Sequence, residues 1–134
     1  MIDNPRIREQ IQDHTFTGIP HTTKLGWKFV EIERNRAVCR LPYQQSHVGN
    51  ITNGAVHTGV LISILDGISG LAVMCALPAF EPFATLDLRV DCLKPSTANK
   101  ELFAEAECYR LTQTIAFVRG SVYHESSDDP IACC

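Results

Sequence analysis

The sequence predicts an α+β fold, with one long apolar helix covered by one antiparallel sheet. Three observations carry that expectation. Residues 54–76, GAVHTGVLISILDGISGLAVMCA, are apolar and contain one charged residue, Asp66. Residues 84–93, ATLDLRVDCL, alternate apolar and polar with the period of a strand. The predicted order is short helix, β-hairpin, long helix, β-meander. No repeat, low-complexity tract or linker interrupts it, so the 134 residues read as one domain, 1–134.

Each element has a local reason. Over residues 3–14, Asp3 or Asn4 can cap a helix, Pro5 suits its first turn, and Ile7 and Ile11 give it a thin apolar stripe. Residues 16–23 read as a loop. Residues 25–33 and 36–42 read as two strands joined by a tight turn at Asn35. Residues 44–56, rich in Asn, Gly, His and Ser, read as loop, and the long helix ends before Pro78. In the strand over 84–93, Ala84, Leu86, Leu88, Val90 and Cys92 face one way and Thr85, Asp87, Arg89 and Asp91 the other. Residues 101–111 and 115–125 give two further strands, and residues 129–134 begin a last one.

Composition narrows the function classes. The net charge of −3 without a like-charge run gives no support to nucleic-acid or polybasic membrane binding. Asp66, glycines and serines interrupt the apolar helix, and the polar N-terminus lacks a signal-peptide core, so the reading is a soluble, cytoplasmic protein. Of six cysteines, Cys39, Cys75, Cys92 and Cys108 sit inside apolar patterns, as free buried thiols do. No Cys-x-x-Cys and no Cys/His ligand spacing is present, so neither a metal nor another cofactor is called for. Cys133 and Cys134 read as the end of a strand. There is no nucleophile elbow and no phosphate-binding glycine loop.

The long helix then separates into two faces. At about 100° per residue, Val60, Leu61, Ile64, Ile68, Leu71 and Ala72 form the stripe that packs on the sheet. Asp66 lies on the opposite face, near Gly59, Ile62, Ser69 and Gly70. Glycines weaken a helix by about 1 kcal/mol each against alanine. Small residues beside a carboxylate therefore point to close approach by a ligand or another chain. His57 stands at the helix start, where unpaired N–H groups favour negative charge. Nine residues separate His57 from Asp66, or ~13 Å along the axis. The two can serve one reacting atom only from different subunits, which predicts a symmetric dimer.

The segment from Gly54 through His57, Gly59 and Asp66 to Gly70 resembles the G-x-x-H-G-G-x-x-x-x-x-x-D motif of hotdog-fold acyl-CoA thioesterases. It is most similar to the phenylacetic-acid-type (PaaI-like) branch of the 4-hydroxybenzoyl-CoA thioesterase superfamily. Residues 85–95, TLDLRVDCLKP, resemble that branch's T-x-D strand, and the likeness covers roughly residues 20 to 134. The resemblance implies a long helix wrapped by a curved antiparallel sheet, paired edge to edge as a homodimer, often as two dimers in a homotetramer. It implies an acyl-CoA substrate and an active site at the dimer interface. Asp66 would act as general base or nucleophile. The Thr58 N–H would polarise the thioester carbonyl, with His57 and Gly59 beside it. Asn50 would hold the leaving sulfur or the water, and Thr85 would position water near Asp66. Arg89, Lys94 and Arg119 are candidates for the coenzyme A phosphates.

Three departures stand out. His57-Thr58-Gly59 replaces His-Gly-Gly, which keeps the N–H but adds a side chain. Asn50 lies seven residues before His57, one more than the pattern suggests, and Asn53 competes with it. By alternation Thr85 falls on the polar side of its strand, so reaching Asp66 needs suitable curvature. Acyl-CoA sensing without turnover is the alternative function. Hydratase chemistry on this fold usually needs a different His/Asp or His/Glu arrangement.

Overall fold

The computed structural model describes residue 3, residues 9–11 and residues 18–134. Of the helix expected over 3–14, residues 9–11 are helical and Ile11 is buried in the core. Ile7, His14 and the Asn4–Pro5 start lie outside the described residues. Part of the expected loop at 16–23 is instead a short helix, α1 (Pro20–Leu25). Proline occupies its first turn. Gly26 ends it in the left-handed region, φ 76°, donating its N–H to the carbonyls of Thr22 and Thr23.

The hairpin follows as β1 (Lys28–Glu33) and β2 (Arg36–Leu41), turning through Asn35 at φ 66°. The expected loop at 44–56 holds a small two-stranded ladder, β3 (Val48–Asn50) against β4 (Ala55–Val56). That ladder delays the central helix, α2, to Thr58–Ala76 rather than Gly54. Gly54, at φ 72°, cannot begin it. Leu77 ends the helix in extended geometry, as a residue before proline prefers.

β5 (Asp91–Cys92), β6 (Leu102–Leu111), β7 (Ala116–Tyr123) and β8 (Ala132–Cys133) complete the main sheet. Its order is β1-β2-β6-β7-β8-β5, with every neighbouring pair antiparallel. The sheet wraps α2, whose Leu61, Ile64, Leu65, Ile68, Leu71, Ala72, Val73 and Cys75 are buried. Ala104, Ala106 and Val122 meet them from β6 and β7. By length and composition α2 could cross a bilayer, but its buried stripe is the core of this sheet.

The long strand expected over 84–93 is the main correction. Only Asp91 and Cys92 pair, with Cys133 and Ala132. β8 offers two residues, so residues 84–90 have no neighbouring strand and make no ladder among the described residues. Cys92 is exposed rather than buried, and Leu86 is 82% exposed. Cys39, Cys75 and Cys108 are buried thiols, and burial pushes Cys39 up to about 12.

Candidate active site

The start of α2 is built by backbone contacts. His57, the N-cap, donates its N–H to the His47 carbonyl at 2.8 Å. Its Nδ1 accepts the Gly59 N–H at 2.9 Å, which places the proton of a neutral ring on Nε2. The Val60 N–H bonds the His57 carbonyl. Gly59 and Val60 are thereby satisfied, and the Thr58 N–H has no partner among the described residues. It lies at the positive end of a 19-residue helix dipole.

A cavity of about 470 Å³ opens there, lined by Asn50, Asn53, His57, Thr58, Leu61, Cys92, Lys94 and Ser96 among others. Asn50 and Asn53 are held alike. Each Oδ1 accepts a backbone N–H two residues on, from Thr52 and Ala55, at 3.0 Å. Each leaves its Nδ2 donors for a ligand, so the geometry does not separate them. Ser96 is buried and its Oγ accepts the Val56 N–H at 2.8 Å, tying the loop after β5 to the helix start. Buried His47 supports the same corner through its carbonyl. Burial lowers its imidazole pKa, and its Nδ1 has no partner among the described residues. Sequence reasoning missed both roles because neither contact is local in the chain: 40 residues separate Ser96 from Val56, and His47 meets His57 across the β3–β4 ladder.

Asp66 stands on the other face of α2, exposed, with its Oδ1 accepting the Thr85 hydroxyl at 2.9 Å. The contact the alternation pattern left in question is made, because residues 84–90 follow no ladder and are free to turn Thr85 toward the helix. Ser69, one turn further, meets the Cys134 thiol at 3.7 Å, and burial raises that thiol's pKa. Neither Asp66 nor Thr85 lines the cavity. Eight residues separate Asp66 from Thr58, ~12 Å along the axis. The predicted residues therefore form two groups: Asn50, His57 and Thr58 with Gly59 alongside, and Asp66 with Thr85.

The three candidate cations also divide. Lys94 lines the cavity and pairs with Asp129. Arg89 is turned to Asp91 at 3.1 Å. Arg119 lies on the outer face of the sheet, bonded to Glu107 at 2.9 Å and stacked over Tyr109, and does not line the cavity. Strand alternation explains it, since neighbouring Val118 packs on the core. His21 contacts Ser63, and His124 bridges Thr97 and Glu101, and neither lines the cavity. No cluster of metal-ligand type occurs among the described residues.

Comparison with known proteins gives the family and the fold. Residues 53–131 match the thioesterase superfamily model. A Halobacterium salinarum protein carrying an esterase name is 36% identical over 123 residues, 87% of this chain and 74% of its own. Mouse acyl-coenzyme A thioesterase 13 is 22% identical over 97 residues, 72% of this chain and 67% of its own. A Pseudomonas aeruginosa crystal structure superposes with a TM-score of 0.82 at 34% identity, covering 92% of both chains. A mutant of the phenylacetic acid degradation protein PaaI from Thermus thermophilus gives 0.73 at 25% identity, covering 86% of this chain and 93% of its own. A helix wrapped by an antiparallel sheet, with the motif of residues 54–70 at its start, is thus a hotdog fold, and the chain belongs to the thioesterase superfamily.

Proposed function

We propose that the protein hydrolyses an acyl-CoA thioester to the free acid and coenzyme A, in the cytoplasm and as a homodimer or a dimer of dimers. One observation carries the reading. The Thr58 N–H, without a partner among the described residues, and the Thr85-bound Asp66 carboxylate share a helix but stand ~12 Å apart, too far to act on one carbonyl. Two antiparallel copies of α2 bring one copy's Thr58 to the other's Asp66. The unpaired edge at residues 84–90 and the exposed Phe80, Phe83 and Leu86 beside it support such an interface.

In this mechanism the thioester carbonyl oxygen accepts the Thr58 N–H, and the sulfur side lies in the cavity with Asn50 or Asn53. Asp66 takes a proton from water as the water oxygen attacks the carbonyl carbon. The Thr85 hydroxyl fixes Oδ1 and leaves Oδ2 for the water. The oxyanion collapses, the C–S bond breaks, and the departing thiolate takes up a proton. In the variant route Asp66 attacks the carbonyl, and water then opens the mixed anhydride. One oxyanion donor commonly contributes roughly 10²–10³ in rate. Lys94 is the cation placed to meet a coenzyme A phosphate.

The test is thiol release from short, long and aryl acyl-CoAs by the wild type and Asp66→Asn, with oligomeric state measured alongside. Wild-type turnover lost in a folded, equally assembled mutant is the expected result. A mutant that still turns over removes Asp66 from the mechanism. Binding without turnover replaces hydrolysis with sensing.

A further inference from the structure

Two glycines of α2 flank the Asp66 face, and they are there for different reasons. At Gly67 an added Cβ would overlap the Trp27 ring, so packing demands glycine. At Gly70 the nearest atom to such a Cβ is Phe83 Cε2 at 3.6 Å, an ordinary contact. Alanine fits there and would strengthen the helix. Nothing among the described residues requires the space. Gly70 lies one turn beyond Asp66 on the same face, ~6 Å along the axis. Phe83, 45% exposed, covers one side of it. Two residues later Thr85 bonds Asp66, so the ring and the carboxylate flank one stretch of the helix surface. The Ser69–Cys134 contact borders it on the same turn of helix.

Resting on the hydrolysis reading above, we propose that in the dimer this surface forms a trough that receives the substrate's acyl group. Gly70 and Phe83 then set acyl choice, and the group they favour is uncharged and apolar. With the carbonyl carbon at Asp66, the acyl chain reaches Gly70 within a few bonds, while the thiol side runs the other way into the partner's cavity. The walls are a phenyl ring, a hydroxyl, a thiol and bare backbone. None offers a cation to an acyl group carrying its own carboxylate, and Asp66 repels one. Arg89, Lys94 and Arg119 are engaged by Asp91, Asp129 and Glu107.

The test compares kcat/KM for butyryl-, octanoyl-, phenylacetyl- and succinyl-CoA in the wild type, Gly70→Ala, Gly70→Val and Phe83→Ala, with melting and oligomeric state of each. Gly70→Val should lower the octanoyl-to-butyryl ratio at least about tenfold, with Gly70→Ala changing it in the same direction and less. Phe83→Ala should shift the phenylacetyl-to-butyryl ratio by roughly fivefold or more. Wild-type succinyl-CoA turnover should fall at least about tenfold below butyryl-CoA. Equal losses on every substrate, unchanged ratios, or an assembly that dissociates in Gly70→Ala would overturn the acyl assignment while hydrolysis stands. A wild type silent on the whole panel overturns the hydrolysis reading and this inference with it.

Discussion

The two stations on α2 are built in opposite ways. At the helix start, loop, ladder and cap converge: His57, the β3–β4 ladder and buried Ser96 together shape a cavity around one free N–H. Eight residues later, Asp66 stands exposed with Thr85 as its one side-chain partner among the described residues, from a segment that belongs to no ladder. The first station is complete within one chain. The second is flanked by Phe83 on one side and open on the other, and in the proposed dimer a second chain closes it. Mutations at the first should therefore mix stability with rate, whereas mutations at the second should cost rate alone.

Asp66→Asn is the most severe test of that contrast. The side chain is exposed and its shape is kept, so melting should move little. On the proposed mechanism, loss of this carboxylate as base or nucleophile should cut turnover by on the order of 10³ or more. A mutant that unfolds or fails to assemble would show that Asp66 belongs to the frame, and the contrast would collapse. His57→Ala comes next. It removes the acceptor for the Gly59 N–H at the cap, which costs about 1 kcal/mol of stability. It also loosens the Thr58 donor, with an expected fall in kcat of roughly ten- to a hundredfold. A melting loss without a rate loss would confine His57 to capping.

His47 probes the frame through pH. Its neutral form is favoured because burial lowers its pKa from 6.5. Below that value the unfolded chain binds more protons than the folded one. The stabilising contribution is therefore full above about pH 6.5 and lost as pH falls toward the lowered folded value. Melting temperature followed from about pH 8 to about pH 5 should drop less steeply in His47→Gln than in the wild type. Parallel curves would show that other groups govern the acid side.

How far these stations could be read from sequence follows the same division. The central helix was legible because its apolar stripe repeats with the helical period of about 3.6 residues, and Asp66 because it is the one charge on that helix. Alternation over 84–93 showed which residues could pair, but it carries no information on whether a neighbouring strand exists. Most of that strand has none. α1 was missed because Pro20 and Gly26 enclose a helix of only six residues, two of them threonines of weak helix propensity. Ser96 and His47 reach the helix start through contacts with Val56 and His57, residues distant from them in sequence, so only the fold could join them to it. The same limit applies to Arg119: a cation on a strand has two faces to choose from, and core packing by Val118 beside it decides which one it takes.

The cations provide the smallest expected effects and the finest discrimination. Lys94 lines the cavity but already pairs with Asp129, so binding a phosphate means exchanging one anion for another. Such an exchange at an accessible position yields little net free energy, about 1 kcal/mol or less. Lys94→Ala should therefore raise KM for acyl-CoA only about two- to fivefold, with kcat preserved. Arg119 holds Glu107 and stacks on Tyr109 across the sheet's outer face. Arg119→Gln should shift KM by less than roughly twofold, the scatter expected of an exposed pair remote from the ligand. Measuring both at two salt concentrations sharpens the comparison, because screening should shrink the Lys94 effect and leave the Arg119 variant indistinguishable from wild type. An Arg119 effect equal to that of Lys94 would move the nucleotide end of the substrate from the helix-start cavity to the outer face of the sheet.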